Sequence, residues 1–217
     1  MRSSVRSPSP SRRPMLLLVA CAAAGVLGGC SSGTQLVDMW RDPAASSHPI
    51  RKMLVVAIRK DETNRRIWED GLVAALEKHG VTATPSYTMF QQGVPDTDQI
   101  DVAVRDHNFD GVMFVHKVGA TTQQTYVPGY THLEPIWVQS RWSLTYHTYW
   151  AEVHEPGYVE TDRIVRNRVD VWSTRRNWRL VWSGTTESIN PTSSAAVNRQ
   201  IAKLIVPELL SQGIIAH

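Results

Sequence analysis

The stretch KMLVVAIRKDETNRRIWEDGLVAALEKHGVTATPSY, residues 52–87, decides the fold class. Its first seven residues, Lys52–Ile58, are almost continuously apolar. That pattern suits a central strand covered on both faces rather than a half-solvated one, which would alternate. From Asp61 to Gly80 the apolar positions change to helical spacing: Ile67 and Trp68, Leu72, Ala75 and Leu76, then His79. Asp61 or Thr63 can cap the start, and Gly80 after Lys78-His79 marks the stop. Val81–Tyr87 reads as the next strand. Together they predict a β-α-β unit with a right-handed crossover.

Downstream, Asp96–Asn108 reads as a second helix with Ile100, Ala103 and Val104 on one side. Asp110-Gly111 turns into a strand, Val112–Val118. Ala120–Leu133 shows no period and contains Thr, Gln, Pro and Gly, so it reads as a loop. From Pro135 the pattern becomes long and alternating. One strand is expected over Ile136–Trp150, continuing to His154. A turn follows at Glu155–Tyr158, then strands at Val159–Ser173 and Trp178–Ile189. Asn190–Ser193 stops the last strand and caps a terminal helix from about Ser194. Val197, Ile201, Leu204, Ile205 and Leu209 form its stripe. Pro207 removes one backbone donor, which predicts a kink or break. Upstream, Leu36–Trp40 reads as a strand and Arg41–Arg51 as a loop. The expected fold class is α/β (α+β). A mixed sheet from β-α-β units joins a long antiparallel meander, with helices on one face and a C-terminal helix.

Charge divides the chain unevenly. The 217 residues carry a formal net charge of +3. Residues 1–29 hold Arg2, Arg6, Arg12 and Arg13 and no acidic residue. The remaining 188 residues hold 19 Lys and Arg against 20 Asp and Glu. The basic isoelectric point near 9.0 therefore belongs to a leader. A globally basic nucleic-acid binder is excluded on that balance.

The leader has recognisable parts. Arg12-Arg13 precede the apolar stretch Met15–Leu27, whose 13 residues fit a signal h-region and are too short to span a bilayer. Ser11–Leu17 also resembles a twin-arginine export signal. The stretch ends in Leu27-Gly28-Gly29-Cys30, which resembles the bacterial lipobox: apolar, small, small, cysteine. That resemblance implies lipidation of Cys30 and cleavage before it. Ser31 and Ser32 follow instead of the aspartate that retains lipoproteins at the inner membrane, so it implies the outer membrane. The expected organisation is a signal peptide over 1–29, a lipidated Cys30 with a short tether to residue 35, and one periplasmic domain over 36–217. Cys21 lies inside the h-region. With Cys30 acylated, no thiol remains for a disulfide, a metal or nucleophilic catalysis.

An ordered set of motifs runs through the rest. It comprises Trp40-x-Asp42-Pro43, Val55-Val56, Glu69-Asp70, Pro85-Ser86-Tyr87, Asp110-Gly111-Val112, Tyr126-Val127-Pro128-Gly129 and Leu180–Gly184. After a lipobox, this order resembles an uncharacterised family of Gram-negative lipoproteins defined only as a domain of unknown function. The element order is also similar to the α/β domains of envelope-assembly lipoproteins, such as the curli-secretion lipoprotein and activators of cell-wall synthases. Such a fold-level likeness implies no activity.

No recognisable catalytic constellation appears. Glu69 and Asp70 are neighbours on a helix and point about 100° apart, so they cannot converge on one bond. Pairing with Arg65 or Arg66 at i,i+4 is the expectation. Gly-x-Ser-x-Gly, Walker and dinucleotide-binding patterns are missing, and no cofactor is expected. His132, Glu134, His147 and His154 are weak metal candidates: His132 and Glu134 share a strand face, but the spacing fits no known metal motif. His116 reads as a hydrogen-bonded strand histidine.

Two surface signals remain. Nine aromatic residues, from Trp137 to Trp182, lie within 46 positions. Large half-buried rings are what strands favour, and exposed rings on one face stack on sugars. The segment Glu160–Arg179 holds six arginines against three acids. It can pair across strands with Glu152, Asp162 and Asp170, or face anionic lipid or an acidic partner. The sequence thus points to a non-catalytic binding or assembly module, recognising another envelope protein through Tyr126, Tyr130, Trp150, Tyr158, Arg166, Arg168, Arg175 and Arg176. A glycan or anionic lipid is the alternative ligand, and nucleic acid is not expected. A metal-dependent envelope hydrolase and an oligomeric scaffold built on free strand edges are the competing readings.

Overall fold

The structure, a computed structural model, describes residues 33–45, 48–139, 146–175 and 177–216. The expected signal peptide, Cys30 and Arg176 lie outside the described residues, as does the side chain of His147. The described residues belong to one compact unit, Ser31–His217.

The elements are β1 (Thr34–Arg41), β2 (Lys52–Ile58), α1 (Glu62–Glu77), β3 (Thr82–Pro85), α2 (Thr97–His107), β4 (Gly111–Val127), β5 (Tyr130–Gln139), β6 (Tyr146–Glu155), β7 (Tyr158–Ser173), β8 (Arg179–Ile189) and α3 (Ser194–Ser211). The fold is mixed α+β, as expected. Six strands form one sheet in the order β1-β8-β7-β4-β2-β3, and β5 and β6 pair in a second. β2 runs parallel to both β3 and β4; from β4 through β7 and β8 to β1 each strand is antiparallel to its neighbour.

Residues 52–87 behave as their pattern dictates. Met53–Ala57 are all fully buried. Odd positions Met53, Val55 and Ala57 pack toward Trp68, Leu72 and Leu76 of α1 and toward Ile201, Ile205 and Leu209 of α3. Even positions Leu54 and Val56 pack against Ile100 and Val104 of α2. Thus α1 and α3 share one face while α2 covers part of the other, so the helices are not confined to one face as the sequence reading expected, because β2 is apolar on both. The strand is continuous in apolar residues because it has helices on both sides.

The helix ends are set by side chains. Asp61 caps α1 by accepting from the Asn64 N–H. Asp96 and Gln99 form a capping box on α2, which ends at Asn108 in the left-handed conformation. Ser193 caps α3 through the Ala196 N–H. α3 runs through Pro207 without interruption, so the expected break does not occur. A helix can lose one internal hydrogen bond when its stripe is held, and Ile205, Val206 and Leu209 are all buried.

Two expectations fail in the second half. Ala120–Leu133 is not a loop: β4 runs unbroken to Val127, and β5 starts at Tyr130. Nor do Ile136–His154 form one strand; β5 and β6 are separate and pair with each other from Tyr130↔Glu155 to Gln139↔Tyr146. The strand before Glu155–Tyr158 therefore does not fold back on the one after it. Instead β7 pairs with β4, and the β5–β6 ribbon is nested between them. The joint is made by two facing dipeptides, Pro128-Gly129 and Pro156-Gly157. Proline offers no N–H to a ladder. A Cβ on Gly129 would lie 2.5 Å from the Glu155 carbonyl oxygen, so the backbones approach too closely for a side chain.

Candidate functional site

Two features stand outside the core: the ribbon and a cleft.

β5 and β6 pack chiefly on each other. Their ten residues each extend about 33 Å at strand rise. Paired residues share a face, so Leu133, Trp137 and Trp150 lie on one side, and Ile136, Val138 and Tyr149 on the other. All six are about half exposed or more, Trp137 at 70% and Trp150 at 66%. An isolated two-stranded ribbon is marginal in water, and this one is apolar on both faces. Between Pro135 and Gln139, and between Tyr146 and Ala151, it carries no Asp, Glu, Lys or Arg.

The structure spreads the sequence-predicted surface along the molecule. Tyr126 and Tyr158 flank the Pro-Gly joint, 66% and 60% exposed, on opposite faces. Tyr130 begins β5 and stacks obliquely on His132, with ring centroids 5.4 Å apart. Trp150 lies five register positions beyond the start of the ribbon, opposite Pro135. Arg166 and Arg168 are exposed on β7, on the sheet face away from α1 and α3. Arg166 lies opposite Gly119, eight residues from the end of β4, or about 26 Å from the joint. The arginines and Trp150 therefore do not meet. The arginines also pair with unexpected partners: Arg166 with Glu187, Arg175 with Asp110 and Arg179 with Asp42. Glu152, Asp162 and Asp170 take no ion pair from them among the described residues.

Trp178 and Trp182, at the end of the aromatic run, do not share a surface. Trp182 is fully buried in the core. Trp178 precedes β8 with φ of 40° and donates its Nε1–H to Asp101.

The described metal candidates, His132, Glu134 and His154, do not converge. His132 Nε2 and Glu134 Oε1 are 3.0 Å apart on one face. His154 lies on the other, 3.0 Å from the Thr131 hydroxyl. Among the described residues, no three His, Cys, Asp or Glu side chains are grouped to hold a metal. Glu69 and Asp70 diverge as expected. Arg65 pairs with Glu69 at 3.2 Å, while Asp70 accepts from the Tyr87 hydroxyl at 2.8 Å. That bond raises the Tyr87 pKa.

The cleft went unnoticed in the sequence. It has a volume of about 970 Å³ and opens at the carboxyl end of β2, beside the first turns of α1 and α3. Ligands in open α/β sheets bind at the carboxyl ends of parallel strands. Arg59, Lys60, Lys117 and Arg163 line it, and among the described residues Asp61 is the only carboxylate that does. Arg59 lies over the Trp68 ring at 4.1 Å and donates to Asn167 Oδ1 at 3.0 Å. Burial lowers its pKa to about 10. The signal available was Arg59-Lys60 directly between a buried strand and a helix cap. Lys117, Arg163 and Asn167 come from distant strands that only the true pairing brings together.

His116 also lines the cleft, half-buried on β4. Its pKa is lowered, first by burial and then by Arg168 and Arg59, with Asp170 opposing. The unfolded chain therefore holds this proton more tightly than the folded one. Stability is fully present above the ordinary value of 6.5 and falls as pH drops from there through the lowered pKa. His116→Gln should flatten the melting temperature between pH 7 and 5 relative to the unaltered chain. An unchanged slope would show that other groups set it.

Neither a family model nor a curated protein sequence matches the chain. Solved structures do. A PelC dodecamer from Paraburkholderia phytofirmans is 11% identical with a TM-score of 0.44, covering 85% of this chain and 99% of that one. The lipoprotein GNA1162 from Neisseria meningitidis is 14% identical with a TM-score of 0.38, covering 74% and 98%. A PDZ domain protein from Parabacteroides distasonis is 10% identical with a TM-score of 0.34, covering 80% of this chain and 36% of that one. At these identities and scores nothing about ligand or assembly transfers.

Proposed function

We propose that this chain is a lipid-anchored module of the cell envelope. It sits at the outer membrane, faces the periplasm and captures a partner protein without catalysis. The observation that supports this reading is the β5–β6 ribbon, which holds Leu133, Ile136, Trp137, Tyr149 and Trp150 in solvent, beyond any core. Tyrosine and tryptophan rings of this kind dominate the energetics of protein recognition. The Leu27–Cys30 motif supports the anchor, and no helix among the described residues is long and apolar enough to cross a membrane. Two or three acyl chains would hold the protein stably, whereas one would be marginal.

The anchor is tested by fractionation. Cys30→Ala should move the protein from the membrane to the soluble fraction, and persistence in the membrane would refute lipidation at this residue. The ribbon is tested by photo-crosslinking in intact membranes. A crosslinker at position 150 should trap one discrete protein, and one at exposed Lys203 on α3 should not. Adducts with glycan alone at position 150 would favour the sugar-stacking reading, because Trp137 and Trp150 share a face. No specific adduct at that position would overturn both.

A further inference from the structure

We propose that the cleft between the amino termini of α1 and α3 binds a phosphate-class oxyanion carried on a small organic body. Four cationic side chains, Arg59, Lys60, Lys117 and Arg163, converge on it. Among the described residues none of the four makes an ion pair. Asp61, the one carboxylate of the lining among the described residues, already accepts the Asn64 N–H at 2.8 Å as the α1 cap. Like charges around one cavity repel, and an anion placed among them removes that cost.

Arg59 is the sharpest case. It is half-buried and stacked on Trp68, yet its hydrogen-bond partners are neutral: the Asn167 amide and, at 3.5 Å, the Ile58 carbonyl. Asn167 is itself 2% exposed and lines the cleft, and its Nδ2 finds no partner among the described residues. A buried N–H without an acceptor is costly, and native structures contain few. An oxygen-rich anion beside Arg59 supplies the counter-charge that it lacks. The first turn of α3 adds backbone donors of its own. The first N–H groups of a helix have no intrahelical acceptor, and the macrodipole favours negative charge there. Ser194 at that turn lines the cleft.

Charge selects phosphate over carboxylate. A single carboxylate neutralises one of four cations, whereas a phosphate ester carries nearly two charges and a pyrophosphate more. Volume selects an organic body. A cavity of about 970 Å³ far exceeds one phosphate and sits in the range of small-molecule sites. Trp68, Val165 and Val197 supply an apolar wall for the remainder.

The test is a calorimetric titration of inorganic pyrophosphate into the full chain in neutral detergent at physiological salt. Saturable binding at one site is expected, weakened by roughly tenfold or more in Lys117→Gln/Arg163→Gln. Both side chains are exposed, and removing mutually repelling charges should leave the melting temperature no lower. No saturable heat, or equal affinity in the double variant, would overturn the site. Glucose 1-phosphate and a short-chain phosphatidylglycerol then separate a soluble phosphoester from a lipid headgroup. Displacement of pyrophosphate by either supports the proposal, and displacement by neither overturns the organic body. Crosslinking from the ribbon is read out separately, so failure here leaves partner capture untouched.

Discussion

Replacing Glu69 by alanine should cost about 3–5 kcal/mol and lower the melting temperature by roughly 10 °C or more. Glu69 is fully buried, and so is its partner Arg65. The carboxylate gathers four donors: Arg65 Nε at 3.2 Å, the Ser86 hydroxyl at 2.8 Å, the Ala57 N–H at 3.0 Å and the Tyr87 N–H at 2.8 Å. It thereby ties α1 to β2 and to the turn after β3. Arg65 continues outward to the carbonyls of Phe90 and Gly93 at 3.0 and 2.6 Å. Removing the carboxylate leaves the buried guanidinium with only the part-exposed Glu62 carboxylate, 3.3 Å from Nη1, as counter-charge, and deprives three further donors at once. The expected penalty is a large fraction of the 5–15 kcal/mol typical of a whole domain. Asp70→Ala is the control. Its hydroxyl bond to Tyr87 is exposed, so the change should stay within about 0.5 kcal/mol. Chemical denaturation of both variants separates them, and equal stabilities would show that the buried network is energetically slack.

This network also marks the limit of reading the sequence. The i,i+4 spacing of Arg65 and Glu69 correctly predicts their pairing. It cannot reveal that the pair is interior, because Glu-Thr-Asn-Arg-Arg looks like a solvated helix face. What was legible is what burial writes into the chain, the continuous strand Met53–Ala57 and the α1 stripe, together with the caps at Asp61 and Ser193. Burial leaves no mark on Thr121–Thr125. That segment is exposed on both faces, so it has no alternation to read, and its Thr-Thr-Gln-Gln-Thr composition mimics a loop. The Pro-Gly pairs mislead for a related reason. Each ordinarily signals a chain reversal, whereas here the two face each other and let the antiparallel tracks of one long ribbon continue. Once β4 is misread as ending at Val118, β7 has no partner but its sequence neighbour, and a meander is the natural conclusion. The same error scatters the cleft, since Lys117 and Asn167 become neighbours only through the β4–β7 register.

The ribbon itself yields the second large effect. Trp137→Ser/Trp150→Ser should cut crosslinking from the ribbon at least about tenfold while leaving domain stability within about 0.5 kcal/mol. The two expectations are separable because both rings are mostly in solvent. A tryptophan that is 70% or 66% exposed contributes little to its own fold, since most of its surface stays in water either way. A partner that covers it removes that surface, and a buried indole at an interface is worth about 2 kcal/mol or more. The pair must be changed together: they lie on one face of the ribbon, diagonal across the ladder, where either can compensate for the other. Melting curves and crosslink yield are measured on the same preparation, with the new crosslinker placed at Leu133 on the same face. Retained yield would move recognition to the Arg166 and Arg168 face of the sheet, where Arg166→Glu/Arg168→Glu is the corresponding test. A collapse in stability would instead mean that the rings are covered within the protein, and that the ribbon is part of the core rather than its outpost.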